Sequence, residues 1–127
     1  MKLITKEREQ RFREVGRQDV PSPLVIAKFF NPCGPGTWYA TEYDPINKIC
    51  FGYVSGLGFP EWGDFSITEL EALRCPPLGL PIECDLYTSE KTITEHCPEL
   101  KEEIERRQEL HAIEFQQKQT RDQDLEH

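Results

Sequence analysis

Three observations predict an α+β domain: a small, mainly antiparallel sheet with flanking helices and a long C-terminal helix. Residues 21–97 hold nine of the ten prolines, seven of the eight glycines and eleven of the thirteen aromatic residues, as expected of short strands joined by tight turns. Within that region, residues 37–43 and 49–55 are rich in aromatic and β-branched side chains. They flank Asp44-Pro45-Ile46-Asn47-Lys48, a loop suited to an antiparallel hairpin. From Pro98 onward glycine is absent, no further proline occurs and charge dominates, the pattern of a solvated helix.

Each element has a local reason. Near the N-terminus Phe12 and Val15 are apolar anchors at helical spacing, Thr5 fits the N-cap and Gly16 the stop, which predicts a helix over 5–15. Leu24 to Phe30 is a continuous apolar run bounded by Pro23 and the turn-rich residues 31–36, so a central, largely buried strand is expected over 23–30. In the strand over 37–43, alternation puts Trp38, Ala40 and Glu42 on one face and Tyr39, Thr41 and Tyr43 on the other, and leaves open which face is buried. Ser66 followed by Glu69 spells a capping box opening a helix over 67–74, with Ile67, Leu70 and Leu73 as its apolar stripe. A further strand is expected over 82–87, with Ile82, Cys84 and Leu86 facing one way and Glu83 and Asp85 the other. The last helix is expected over 93–118. Its seam of Cys97, Leu100 and Ile104 is broken by Arg107 and resumes on a shifted face at Leu110, Ile113 and Phe115, so the first half docks and the second projects or self-associates.

The 127 residues carry 15 basic and 23 acidic groups, a net charge of −8. Leu125-Glu126-His127 reads as the remnant of a vector-encoded tag, which leaves a single domain over 1–124 with its core at 21–97. No apolar run approaches the roughly 20 residues of a membrane span. The first thirteen residues are mostly charged rather than signal-like, so a cytoplasmic protein without membrane association is expected. Residues 21–97 carry ten acidic and four basic groups, a field that repels phosphate, and direct nucleic-acid binding is not expected. The five cysteines form no C-x-x-C pair and read as free thiols packed as small hydrophobes. His96 and Cys97 are adjacent, and neighbours on a helix point apart, so neither activates the other. No metal site, cofactor or catalytic triad is predicted.

The most unusual stretch is Ser55-Gly56-Leu57-Gly58-Phe59-Pro60-Glu61-Trp62-Gly63-Asp64. Its glycines allow close backbone approach, and Phe59 and Trp62 offer flat apolar surface beside Glu61 and Asp64. Such a loop suits a basic peptide segment or an arginine side chain, held by stacking and charge-assisted hydrogen bonds. The structural alternative is a loop folded over one end of the sheet with both aromatics as plugs. Its Gly-x-Gly is no dinucleotide fingerprint, because Pro60 stands where the helix should begin. Carboxylates also pair in sequence, Glu42 with Asp44, Glu61 with Asp64 and Glu83 with Asp85, in spacings open to acid and base work or a hard cation. The leading expectation is a non-enzymatic module that binds a protein partner through the 56–64 loop and the neighbouring Trp38 and Glu42, with Phe59, Glu61, Trp62 and Asp64 as the loop's binding residues. The alternative is a small enzyme or ligand-binding protein using carboxylates in a cleft under that loop. A third reading is a homodimer through the C-terminal helix.

A set of linked motifs adds a resemblance. Thr37-Trp38, Thr41-Glu42-x-Asp44-Pro45, Phe51-Gly52, Leu57-Gly58-Phe59-Pro60-Glu61-Trp62-Gly63, Ser66-x-Thr68-Glu69-Leu70-Glu71 and Leu78-Gly79-Leu80-Pro81-Ile82-Glu83 resemble a bacterial family of small domains of unknown function. Members of that family are often encoded on plasmids, phages and other mobile elements. The resemblance runs from Leu3 to Tyr87 and implies this architecture and a mobile-element setting, without a reaction. The family pattern carries an acidic residue before its Leu-Gly loop, where this chain has Ser55-Gly56.

Overall fold

A computed structural model describes residues 2–125, so Glu126 and His127 of the expected tag remnant lie outside the described residues. The first helix, α1 (Lys6–Val15), has the predicted ends. Thr5 accepts the Arg8 N–H at 3.2 Å, and Gly16 takes a φ of 67° that a side chain would disfavour. After a strap over residues 17–23 that bends at Val20 to Ser22 come β1 (Leu24–Val25) and β2 (Ala27–Phe30), where one strand over 23–30 is expected from sequence. The break at Ile26 separates two pairings. β1 joins β9 (Lys91–Thr92), whereas β2 lies between β3 (Thr37–Asp44) and β8 (Glu83–Cys84).

The main sheet is five-stranded and antiparallel, in the order β5-β4-β3-β2-β8, with β4 over Ile49–Ser55 and β5 over Glu61–Ser66. The hairpin of β3 and β4 forms as expected, its turn held by the Asp44 carboxylate, which accepts the Ile46 N–H at 3.0 Å. The expected alternation along β3 does not hold to its end. A β-bulge at Thr41 lets Ala40 oppose Gly52 and Glu42 oppose Phe51, so Tyr43 rejoins the face of Trp38 and Ala40 while Glu42 moves to the other. Trp38 and Glu42 are therefore on opposite faces. Thr41 itself is buried, and its hydroxyl donates to the Phe51 carbonyl at 3.2 Å.

Both faces of the sheet are buried. On one, Phe29, Trp38, Ala40 and Cys50 pack with Leu3, with Phe12 of α1, and with Ile67 and Leu70 of α2 (Ile67–Ala72). On the other, Tyr39 and Tyr53 pack with Val25 and with Ile93, Cys97, Leu100 and Ile104 of the C-terminal region. The apolar run at 24–30, interrupted only by Lys28, follows from this double burial, since a strand covered on both faces need not alternate.

α2 is shorter than expected. It ends at Ala72, which leaves Leu73 exposed, and a two-stranded ribbon of β6 (Arg74–Cys75) and β7 (Leu80–Pro81) follows. Only half of the expected capping box forms: Ser66 Oγ accepts the Glu69 N–H at 3.2 Å, while among the described residues the Glu69 carboxylate makes no return bond. The cap energy therefore belongs to Ser66. In denaturant titrations Ser66→Ala is expected to lower stability by about 1 kcal/mol, and Glu69→Ala to stay within about 0.5 kcal/mol of the parent. A carboxylate does reach back to an N-cap at Thr92, whose N–H donates to Glu95 Oε1 at 3.2 Å.

The expected strand over 82–87 is reduced to β8, because the Asp85 carboxylate accepts the Tyr87 N–H at 2.9 Å and turns the chain, leaving Leu86 exposed. The expected helix over 93–118 is three pieces: α3 (Ile93–His96), a 3-10 turn (Pro98–Leu100) and α4 (Lys101–Leu125). The proline ring of Pro98 disfavours helical geometry in the residue before it, and Cys97 accordingly adopts φ −128°, ψ 79°. The docked seam of Cys97, Leu100 and Ile104 is buried as expected. From Glu105 to Arg121 every residue of α4 is exposed, Leu110, Ile113 and Phe115 included. Among the described residues no helix is long and apolar enough to cross a membrane.

Candidate functional site

The expected loop over 56–64 is smaller than it reads from sequence. Glu61 to Asp64 belong to the edge strand β5, and only residues 56–60 form the connection from β4. Its base is fixed by close packing: Gly56 has φ 86°, and a Cβ there would stand 2.7 Å from the Gly36 N. Leu57 Cδ2 and the Trp38 indole both lie 3.3 Å from the place of a Cβ on Gly36. The loop is thus seated on the β2–β3 connection beside the Trp38 ring. Beyond that base, Gly58 (φ 106°) turns the chain outward, Leu57 is 60% exposed and Phe59 is 96% exposed.

The pleat of β5 separates the other expected residues. Trp62 opposes Tyr53 and stacks on Phe51, with ring centroids 6.1 Å apart and planes 21° apart, on the face of the second core. It is a packed residue, so Phe59 and Trp62 do not form one aromatic surface. Glu61 opposes Val54 on the Trp38 face, and both Glu61 and Asp64 are exposed at the sheet edge. Trp38 is buried, and it contributes with Phe65, Leu70 and Leu73 to the floor of a groove of about 440 Å3 whose rim includes Asp64 and Glu69. Glu42 takes no part. It accepts the Gln18 N–H at 3.3 Å, while the Gln18 amide donates to the Leu24 and Thr41 carbonyls, so Glu42 helps to pin the strap that follows α1.

The structure gives Asp44 and Asp85 ordinary structural roles. Asp44 accepts from Ile46, Asn47 and the Asn47 side chain, and the Asn47 hydrogen bond leads in holding its pKa below the usual range. Asp85 is held down chiefly by the Thr88 hydrogen bond, and Lys28 Nζ is 3.9 Å from its carboxylate. These shifts run opposite to the upward one a general acid needs. Asp64 and Glu69 stand exposed on the open rim of the groove. All five cysteines are free, and burial pushes the Cys50, Cys84 and Cys97 thiols up, away from the thiolate a nucleophile requires. His96 is lowered first by burial, and its Nε2 is a buried atom without a hydrogen-bond partner. Among the described residues no group of three or more His, Cys, Asp or Glu could hold a metal ion.

Sequence reasoning missed a second depression. A cleft of about 650 Å3 lies between the strap at 18–23, the exposed edges of Phe51 and Trp62, and Ile104, Arg107, Gln108 and His111 of α4. The break in the helix seam at Arg107 was its only sequence signal, since that is where α4 leaves the sheet.

Compared with known proteins, residues 3–103 match the family model described as a protein of unknown function, DUF2958. No curated protein and no solved structure matches the chain.

Proposed function

The chain belongs to the DUF2958 family, and because that family's description assigns no activity, we propose from the geometry that it is a non-enzymatic module that binds a protein partner through the β4–β5 loop and the acidic sheet edge beside it. The observation that carries this reading is the 96% exposure of Phe59 at the tip of a loop whose base is packed. A large apolar ring in water contributes nothing to the core, whereas an exposed aromatic is the kind of group that anchors interfaces. Leu57 extends the apolar surface, and Glu61 and Asp64 add exposed negative charge along the adjoining strand. The resemblance of its motifs to proteins of plasmids and phages directs the search for the partner to lysates of bacteria that carry such elements.

The test is affinity capture with the parent and a Leu57→Ala/Phe59→Ala variant of equal stability. Captured proteins are identified by mass spectrometry and then rebound in purified form. The expected result is a purified partner whose affinity drops about tenfold or more in the variant. Equal affinity for both forms would remove the loop from the interface.

A further inference from the structure

We propose that the outer edge of β5 accepts an added strand from a partner, an extended basic segment with an apolar or aromatic residue between its charges. This rests on the binding-module reading and specifies how the partner is held.

The backbone pattern identifies the available groups. Ile67 N–H donates to the Lys48 carbonyl at 2.9 Å, immediately beyond the β4–β5 ladder. Alternation then makes Cys50–Phe65 and Gly52–Gly63 the hydrogen-bonded pairs, and it turns the N–H and C=O of Trp62 and Asp64 away from β4. β5 is the last strand of the sheet, and among the described residues these outward groups have no hydrogen-bond partner. An incoming strand can use all four of them, the main-chain mode by which sheets bind peptides.

The side chains specify the occupant. Glu61 and Asp64 flank the free edge from opposite faces, and the groove on the Trp38 face has the carboxylate of Glu69 but no basic residue in its lining. A second copy of β5 would bring its own Glu61 and Asp64 against these, so the same charges that admit a basic chain repel self-pairing. Between Glu61 and Phe65 on the Trp38 face stands Gly63, where a Cβ would meet nothing within 4 Å. That gap takes a bulky side chain from a neighbouring strand, as aromatic residues cover edge glycines. The next position along would enter the groove floored by Trp38, Leu70 and Leu73.

The test is selection of a displayed library of random decapeptides on the folded protein, followed by affinity and amide-exchange measurements on an enriched peptide. Enriched sequences are expected to carry excess Lys and Arg around an apolar or aromatic residue. Glu61→Lys/Asp64→Lys is expected to weaken them about tenfold or more. Asp64→Pro, which removes an outward N–H, is expected to abolish binding that Asp64→Asn only weakens. If Asp64→Pro fails to fold, exchange in the parent decides. The bound peptide should slow the Trp62 and Asp64 amides about tenfold or more, and leave Gly63, already in the ladder, little changed. A peptide that protects neither outward amide, or a selection without basic enrichment, overturns the strand-addition mode. A captured partner that depends on Phe59 yet leaves those amides unprotected would keep the module reading and reject this one. Failure of both capture and selection would reject both.

Discussion

Gly52→Ala is expected to lower stability by about 3 kcal/mol or more, measured as a shift of the denaturant midpoint at unchanged slope. The cause is contact rather than backbone conformation. A methyl at this position would overlap the Tyr39 carbonyl oxygen and stand 2.8 Å from the Tyr39 carbonyl carbon and 3.1 Å from Ala40 Cα. All three are main-chain atoms of β3, held in place by the ladder and by the bulge at Thr41, so none can rotate aside as a flexible side chain would. Gly63, directly opposite in β5, is the control. Its Cβ would meet nothing within 4 Å, and alanine there restricts only the unfolded chain, so Gly63→Ala is expected to be neutral or to stabilise by about 0.5 kcal/mol. A similar loss at both positions would mean that glycine serves the sheet through conformation, and the crowding at the bulge would no longer explain Gly52.

That contrast also marks where sequence reading succeeds. Thr5, Gly16, Asp44 and Ser66 were legible because caps and turns are decided within four residues, by groups that sit next to one another in the chain. The bulge at Thr41 was not. It depends on the packing of two hydrophobic faces, and no residue type near 41 announces it. β5 was also missed, since Glu61, Gly63 and Asp64 are poor strand formers, and the segment extends because Trp62 packs on Tyr53 and Phe51 across the sheet. The break at Cys97 was written in Pro98, which reads equally as the first residue of a helix. At the site, the loop's glycines, aromatics and acids were visible in the sequence. Which aromatic is packed and which is presented was not, because that depends on where the loop ends and the pleat begins.

The same substitution at two phenylalanines is expected to separate folding from recognition. Phe29 is 0% exposed on β2, opposite Trp38, with its ring edge-on to Phe65 at 6.5 Å. Truncation to alanine leaves a cavity between the sheet and α2, and Phe29→Ala is expected to cost about 3–5 kcal/mol. Small domains have roughly 5–15 kcal/mol of stability in total, so this variant should unfold at a much lower denaturant concentration and lose partner binding only as it unfolds. Phe59→Ala removes an equal number of atoms from a ring already in water, and is expected to leave stability within about 0.5 kcal/mol. Its partner affinity should nevertheless fall while the fold is intact. If Phe59→Ala instead cost stability on the scale of Phe29→Ala, the ring would be folded onto the protein in solution, and the exposure on which the binding reading rests would be lost. Stability and affinity measured on both variants thus place each ring in the core or in the interface, independently of who the partner is.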